Sequence, residues 1–126
     1  MMPEANMEKR PTGRVAPLIF KTLAWAFVAC VVVQTFLAGA AIFTDASYWY
    51  SHRIFVHIFE FLPILMLIFA LVARLRTAMR WHCLGLFALV YAQYFTANFP
   101  GAGALHPVLA VLIFWYAVYV ARRADG

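Results

Sequence analysis

Four long apolar segments, separated by short polar turns, restrict the folds that this chain can adopt. Each segment approaches or exceeds the ~20 residues that a helix needs to cross a hydrocarbon core of ~30 Å. Backbone polar groups in such a core must bond within their own segment, so the segments are expected to be helices. Short turns make consecutive helices antiparallel neighbours. We therefore predict an all-α fold, an integral membrane up-down four-helix bundle with helices over residues 17–43, 49–75, 81–98 and 105–122.

The composition also indicates a membrane domain. Hydrophobic residues make up 66% of the chain and charged residues 12%, whereas about 25% charged residues is usual for a soluble domain. Residues 15–126 are predicted to form one four-helix transmembrane domain, and the polar residues 1–14 a disordered cytoplasmic tail. The apolar run over residues 18–43 exceeds the ~7–15 residues of a signal-peptide core, so an uncleaved helix is predicted.

The basic residues predict the orientation of the helices. Of the ten lysines and arginines, all but Arg53 fall on one side of the predicted membrane. Because basic loops stay in the cytoplasm, we predict a multi-pass protein of the plasma (inner) membrane with both termini cytoplasmic. The net charge of +5 is attributed to orientation and contact with membrane lipid, and no nucleic-acid partner is predicted. The residues that set the orientation are Lys9, Arg10, Arg14, Lys21, Arg74, Arg76, Arg80, Arg122 and Arg123.

The second segment carries a polar cluster near its start, formed by His52, Arg53, His57 and Glu60. At 100° per residue, the last three lie within about 60° of one another around the helix. Glu60 lies roughly 15 Å below the outer end of the helix at 1.5 Å per residue, a depth at which a carboxylate must face protein rather than lipid. This face is predicted to point into the bundle. Pro63 removes a backbone hydrogen bond and is predicted to kink the helix there.

The other three segments also place polar side chains in their outer halves. His106 lies at the start of the last helix, Gln34 on the first helix and Gln93 on the third. Residues that only join helices would not be confined to one half of the bundle. This distribution therefore predicts a polar site in the outer half.

The histidines suggest what that site binds. A histidine near a helix N-terminus is kept neutral by the helix dipole, and the neutral imidazole is the metal-ligating form. Histidines on two antiparallel helices can face each other across haem in a bundle core. We predict a b-type cytochrome-like protein that binds haem b through His106 and a second histidine and transfers electrons to a redox partner. Arg53 is predicted to bind a haem propionate. The predicted cofactor-binding residues are His57, His106, His52, Arg53, Glu60, Gln34 and Gln93.

The sequence leaves the second iron ligand open. His52 matches the depth of His106 in the membrane, whereas His57 lies on the same face as Glu60 and is about 7.5 Å deeper than His52. The face argument slightly favours His57, since an intramembrane charge is costly to misplace. The metal-binding candidates are therefore His57, His106 and His52.

Sequence marks across residues 25–120 resemble an uncharacterised family of small bacterial four-helix membrane proteins. The marks are VVVQTFLAG, YWYSHRIFVH, YAQYF and ALHPVLAVLIFW. Their order also resembles half of a haem A synthase, in which the second and fourth helices each carry a histidine near the outer surface. That resemblance implies that His52, followed by Arg53, and His106 are the ligand positions. The synthase pattern has glutamate where this chain has Trp49, so the resemblance implies haem binding rather than haem modification.

Two other hypotheses fit the same residues. The chain is alternatively a non-catalytic membrane subunit or assembly factor, in which the polar cluster only joins helices and a membrane-protein partner is expected. A small metal or proton site built from His52, His57, Glu60 and His106 is the third. No P-loop, HExxH or EF-hand pattern occurs in the chain, which argues against a hydrolase.

Overall fold

The computed structural model describes residues 11–126, with side chains from Arg14 onward. Over this range the chain is helical and contains no strand, which confirms the all-helical part of the prediction. Residues 1–10 of the predicted tail lie outside the described range. The helices are α1 (Pro11–Phe43), α2 (Tyr48–Phe59), α3 (Leu62–Val72), α4 (Thr77–Asn98) and α5 (Leu105–Asp125).

Within residues 11–126, three segments are long and apolar enough to cross a membrane. They are Arg14–Phe43, Tyr48–Val72 and Leu105–Asp125, and the second of them comprises α2 and α3. Helix α4 has 22 residues, or about 33 Å at 1.5 Å per residue, but it is less apolar. Large apolar side chains cover the outside of the helices, with Ile58 72% and Val111 70% exposed. Such a surface matches lipid rather than water.

The predicted kink at Pro63 is confirmed as a break between α2 and α3. Helix α2 ends at Phe59, and Pro63 occupies the first turn of α3, where its missing N–H costs no hydrogen bond. The amide of Ile64 donates to the Phe61 carbonyl at 3.0 Å and restarts the helix. As a result, α2 packs mainly on α1, whereas α3 packs on both α1 and α4.

The connection between α3 and α4 differs from the prediction. A tight turn was predicted over residues 76–80, but α4 already begins at Thr77 and the turn spans residues 73–76. The amides of Met79 and Arg80 both donate to the Arg76 carbonyl, which starts the helix four residues early. Arg74 adopts a left-handed backbone with φ 54° and reverses the chain. Helices α1 and α5 likewise extend beyond the predicted residues 17 and 122, to Pro11 and Asp125.

One end of the molecule, which we call the basic end, contains the start of α1, the α3–α4 turn and the end of α5. Asp125 of α5 joins it to α1, with its carboxylate 3.1 Å from Lys21 Nζ and 3.2 Å from Trp25 Nε1. Most of the buried core extends from this end to the middle of the helices. Its largest fully buried side chains are Phe20, Phe27, Met66, Leu86, Val120, Pro63 and Cys83.

The opposite end contains the α1–α2 turn and the α4–α5 loop, and we call it the histidine end after His52 and His106. In the turn, the Ser47 amide donates to the Asp45 carboxylate at 2.7 Å. Hydrogen bonds from Ser47 lower the pKa of Asp45 below its ordinary value. This end carries the polar residues singled out in the sequence.

Candidate functional site

A cavity of about 980 Å³ opens at the histidine end between α1, α2, α4 and α5, and we call it the site cavity. Its volume lies at the upper end of the range for ligand pockets, about 300–1,000 Å³. Most of its wall is apolar, from residues such as Val31, Val90 and Ile113. Of the seven predicted site residues, only Glu60 is not part of the lining. The other six are Gln34, His52, Arg53, His57, Gln93 and His106.

His52 is fixed on α2 by a reciprocal pair of hydrogen bonds to α1. Its ring Nδ1 lies 3.0 Å from the Gln34 backbone carbonyl, and Gln34 Nε2 donates to the His52 carbonyl at 2.8 Å. A carbonyl can only accept, so Nδ1 carries the proton. The neutral ring therefore has its lone pair on Nε2, as a ligating histidine requires.

His106 is held in the same way at the start of α5. Its Nδ1 lies 3.2 Å from the Gln93 backbone carbonyl and 3.0 Å from Thr96 Oγ1. The Thr96 hydroxyl itself donates to the Gln93 carbonyl at 2.9 Å, so it accepts from the histidine. This geometry again places the proton on Nδ1 and the lone pair on Nε2.

Thr96 was missed by the sequence reasoning. Among residues 14–126 it is the one buried polar side chain, at 4% exposure. The signal was available, because Thr96 lies one helical turn after Gln93 and so lies on the same side of α4. Its small hydroxyl was easily taken for an ordinary helix residue.

The rings of His52 and His106 lie next to each other in an edge-to-face arrangement. Their ring centroids are 6.3 Å apart, with an interplanar angle of 63°. Two imidazoles bound to opposite sides of one metal ion at ~2 Å each would have centroids roughly 6 Å apart. The separation of His52 and His106 would allow both rings to bind one metal ion, and this is the pair that their similar depth in the membrane favoured.

His57 belongs to a second polar group that does not include His106. Its Nδ1 lies 3.1 Å from the Tyr94 hydroxyl and 3.4 Å from Glu60 Oε2, and its side chain is 60% exposed. The Tyr94 hydroxyl also donates to the Glu60 carboxylate, whose side chain is 12% exposed. The prediction that Glu60 faces protein is therefore confirmed. The preference for His57 as the partner of His106 is not supported by this placement.

The site does not resemble a site for a free metal ion. Among the described residues, no three His, Cys, Asp or Glu side chains come together. His52, His57 and His106 therefore do not form a three-ligand centre, because His57 is turned toward Glu60 and Tyr94. Both cysteines, Cys30 and Cys83, are free thiols away from the cavity lining.

A third polar group, near the basic end, was also missed. His82 of α4 has its Nδ1 2.6 Å from the Tyr116 hydroxyl on α5. Gly85 leaves room for that ring, because a Cβ there would lie 3.0 Å from the hydroxyl oxygen. This contact joins α4 to α5 and lies outside the site cavity.

The comparisons with known proteins show a family but no function. The family model DUF6220, described as a family of unknown function, matches residues 34–102, more than half of the chain. This agrees with the uncharacterised family predicted from the sequence. The matched range includes Gln34, His52 and Gln93 and ends before His106. No curated protein and no solved structure gives a significant match, and nothing links the chain to haem A synthases.

Proposed function

The chain belongs to DUF6220, a family of unknown function, and we propose that it is a haem-binding, b-type cytochrome-like membrane protein. The observation that carries the proposal is the pair formed by His52 and His106, with ring centroids 6.3 Å apart at the wall of a large apolar cavity. Both rings have Nδ1 on a backbone carbonyl and Nε2 available for a metal.

The number of ligands favours haem over a free ion. A zinc ion needs three or four protein ligands, and two histidines alone would hold it poorly. The porphyrin supplies four nitrogen ligands itself, so two axial histidines complete the coordination of a haem iron. The volume and the apolar wall of the site cavity suit a large flat cofactor.

The protein residues would orient the ligands and exclude water. Gln34 and Thr96 fix the two imidazole rings from α1 and α4. Arg53 lines the cavity and offers a guanidinium to a propionate. Bound haem would supply one-electron transfer, with a membrane protein or a soluble carrier as redox partner.

The arrangement in the membrane is part of the proposal. The helices form an up-down bundle in the inner membrane, and the basic end faces the cytoplasm with both termini. The support is the concentration of cations at that end and of the histidine pair at the other. An alkaline phosphatase fused after Gly126 should be inactive, since that enzyme works only outside the cytoplasm. Activity there would reject this orientation.

Titration of the detergent-solubilised protein with haemin tests the binding step. The wild type should bind one equivalent with the spectrum of a six-coordinate haem, whereas His106→Ala should not. His82→Ala is the matched control, because His82 is also hydrogen-bonded between α4 and α5 but lies outside the cavity. Absence of saturable binding in the wild type would reject the proposal.

A non-catalytic membrane subunit or assembly factor is the second candidate. It is favoured by the observation that the polar residues at this end join different helices: Gln34 bonds to His52, and Tyr94 bonds to Glu60. In that case the wild type should not bind haem, and His106→Ala should still lower the thermal stability of the protein. Co-purification of a membrane protein that contacts the histidine end would support this candidate.

A further inference from the structure

A second, smaller pocket lies at the basic end, away from the site cavity. It has a volume of about 210 Å³ and lies between the start of α1, the α3–α4 turn and the end of α5. Its floor is apolar, and two arginines from different elements line it, Arg76 at the start of α4 and Arg123 on α5. The remaining lining residues are Pro17, Phe20, Leu75, Met79, Ala124 and Gly126.

The charge around this pocket is strongly unbalanced. Counted by side chains, the basic end carries seven basic residues and one acidic residue, Asp125, in the described part of the chain. Asp125 does not line the pocket, and its carboxylate is already bound by Lys21 at 3.1 Å and by Trp25. The cations are Arg14, Lys21, Arg74, Arg76, Arg80, Arg122 and Arg123.

The two pocket arginines are available to an anion. Arg123 uses Nε to donate to the Tyr119 hydroxyl at 3.1 Å and packs over that ring at 5.2 Å. These contacts hold the side chain in place and leave its terminal nitrogens for a ligand. Arg76 is exposed and occupies the N-cap position of α4, where its side chain makes no capping hydrogen bond.

The position of the pocket matches the level of lipid headgroups. Trp81, one turn into α4, is 67% exposed, and tryptophan is enriched at membrane–water interfaces. Arg76 lies roughly 7.5 Å beyond it along the helix axis at 1.5 Å per residue. An apolar floor beneath two arginines at this level suits a phosphate headgroup above and an acyl chain below.

We propose that this pocket binds an anionic phospholipid of the cytoplasmic leaflet, with its phosphate between Arg76 and Arg123 and an acyl chain against Leu75 and Met79. Basic pockets between transmembrane helices on the cytoplasmic side bind such headgroups in other proteins. The proposal rests on the membrane orientation proposed above, but not on whether the site cavity binds haem.

Native mass spectrometry of the full chain in a neutral detergent tests the proposal. Phosphatidylglycerol and phosphatidylcholine with identical acyl chains are titrated separately. We expect one phosphatidylglycerol to bind at least about tenfold more tightly than phosphatidylcholine, because each arginine near the phosphate adds a substantial electrostatic contribution. Equal binding of the two lipids would overturn the proposal.

Two pairs of substitutions separate the pocket from diffuse charge. The double variant Arg76→Gln/Arg123→Gln should lose the preference for phosphatidylglycerol over phosphatidylcholine. Arg74→Gln with Arg122→Gln removes the same charge from exposed residues that do not line the pocket, and it should keep the preference. Equal loss in both would mean that only the overall charge matters and would overturn the proposal.

Two further measurements address folding and the nature of the anion. Met79→Trp keeps every charge but fills the pocket, so this variant should also lose the bound lipid. Retention of the lipid in Met79→Trp would contradict the proposal. This test holds even if the double arginine variant fails to fold. Sodium phosphate at a concentration equal to the lipid should not displace phosphatidylglycerol. Displacement would indicate a site for a free anion instead.

Discussion

The basic end and the histidine end of the molecule are built on different principles. Toward the basic end the helices meet through fully buried apolar side chains such as Phe20, Leu86 and Val120. At the histidine end they surround a cavity of about 980 Å³ and are joined by side-chain hydrogen bonds. Close packing can therefore stabilise one end while the other end retains room for a ligand.

The break at Pro63 accounts for much of this difference. Helix α3 packs on α1 and α4, and its buried residues, such as Met66 and Ala70, belong to the packed core. Helix α2 packs mainly on α1 and leaves space on its other side. The α3 half of this apolar span thus belongs to the packed core, and the α2 half borders the cavity at the histidine end.

The largest expected effect comes from the packed region. Leu86→Ala removes a fully buried side chain and should lower the free energy of unfolding by about 2–5 kcal/mol. Val111→Ala, at an exposed residue of the cavity wall, should change it by less than about 0.5 kcal/mol. Thermal unfolding in detergent measures both variants. Similar losses would mean that the two ends do not differ in packing.

An intermediate effect is expected from the polar contact between α2 and α4. Glu60→Leu leaves the Tyr94 hydroxyl without its acceptor and removes the carboxylate beside His57, so it should cost about 1–3 kcal/mol of stability. Ile58→Leu, at a residue 72% exposed near the end of α2, is the control and should be neutral. If both variants melt at the wild-type temperature, Glu60 does not join the helices.

The positioning of His106 gives a third test of the histidine end. Thr96→Val keeps the shape of the side chain but removes the hydroxyl that accepts from His106, and it should weaken haem binding by about 10–100-fold. Thr22→Val is the matched control, because the Thr22 hydroxyl bonds only within α1, to the Leu18 carbonyl, and Thr22 does not line the site cavity. Haemin titration measures both, and equal affinities would show that Thr96 does not position the ligand.

The smallest effect is expected at the surface of the basic end. Asp125→Asn removes an exposed ion pair with Lys21, so it should cost at most about 1 kcal/mol. Added salt should reduce the difference from the wild type, as screening weakens exposed pairs. A loss as large as that of Leu86→Ala would show that electrostatics, and not packing, hold this end together.

The sequence predicted the location of the polar site but not its pairing. The apolar segments and the polar residues of their outer halves predicted where Gln34, Gln93 and His106 gather, and six of seven site residues line one cavity. The helical wheel could not decide between His52 and His57. In a bundle α2 has neighbours on two sides, so His52 can bond to α1 while His57 meets Tyr94 of α4.

The remaining differences have local causes. The turn after α3 was placed too late because Thr77 and Arg80 are polar, yet both belong to the first turn of α4 and extend past the apolar region. Thr96 and Tyr116 were overlooked because their roles depend on a partner in another helix. Pairing between distant segments cannot be derived from the periodicity of either segment alone.

The central claim is that His52 and His106, and not His57, hold a haem. Wild-type protein and the variants His52→Ala and His57→Ala should be purified from cells supplied with haem, and their absorption spectra compared. We expect a Soret band and the sharp reduced α/β bands of a six-coordinate haem in the wild type and in His57→Ala, and their loss in His52→Ala. A six-coordinate spectrum in His52→Ala, or no Soret band in the wild type under saturating haem supply, would contradict the claim.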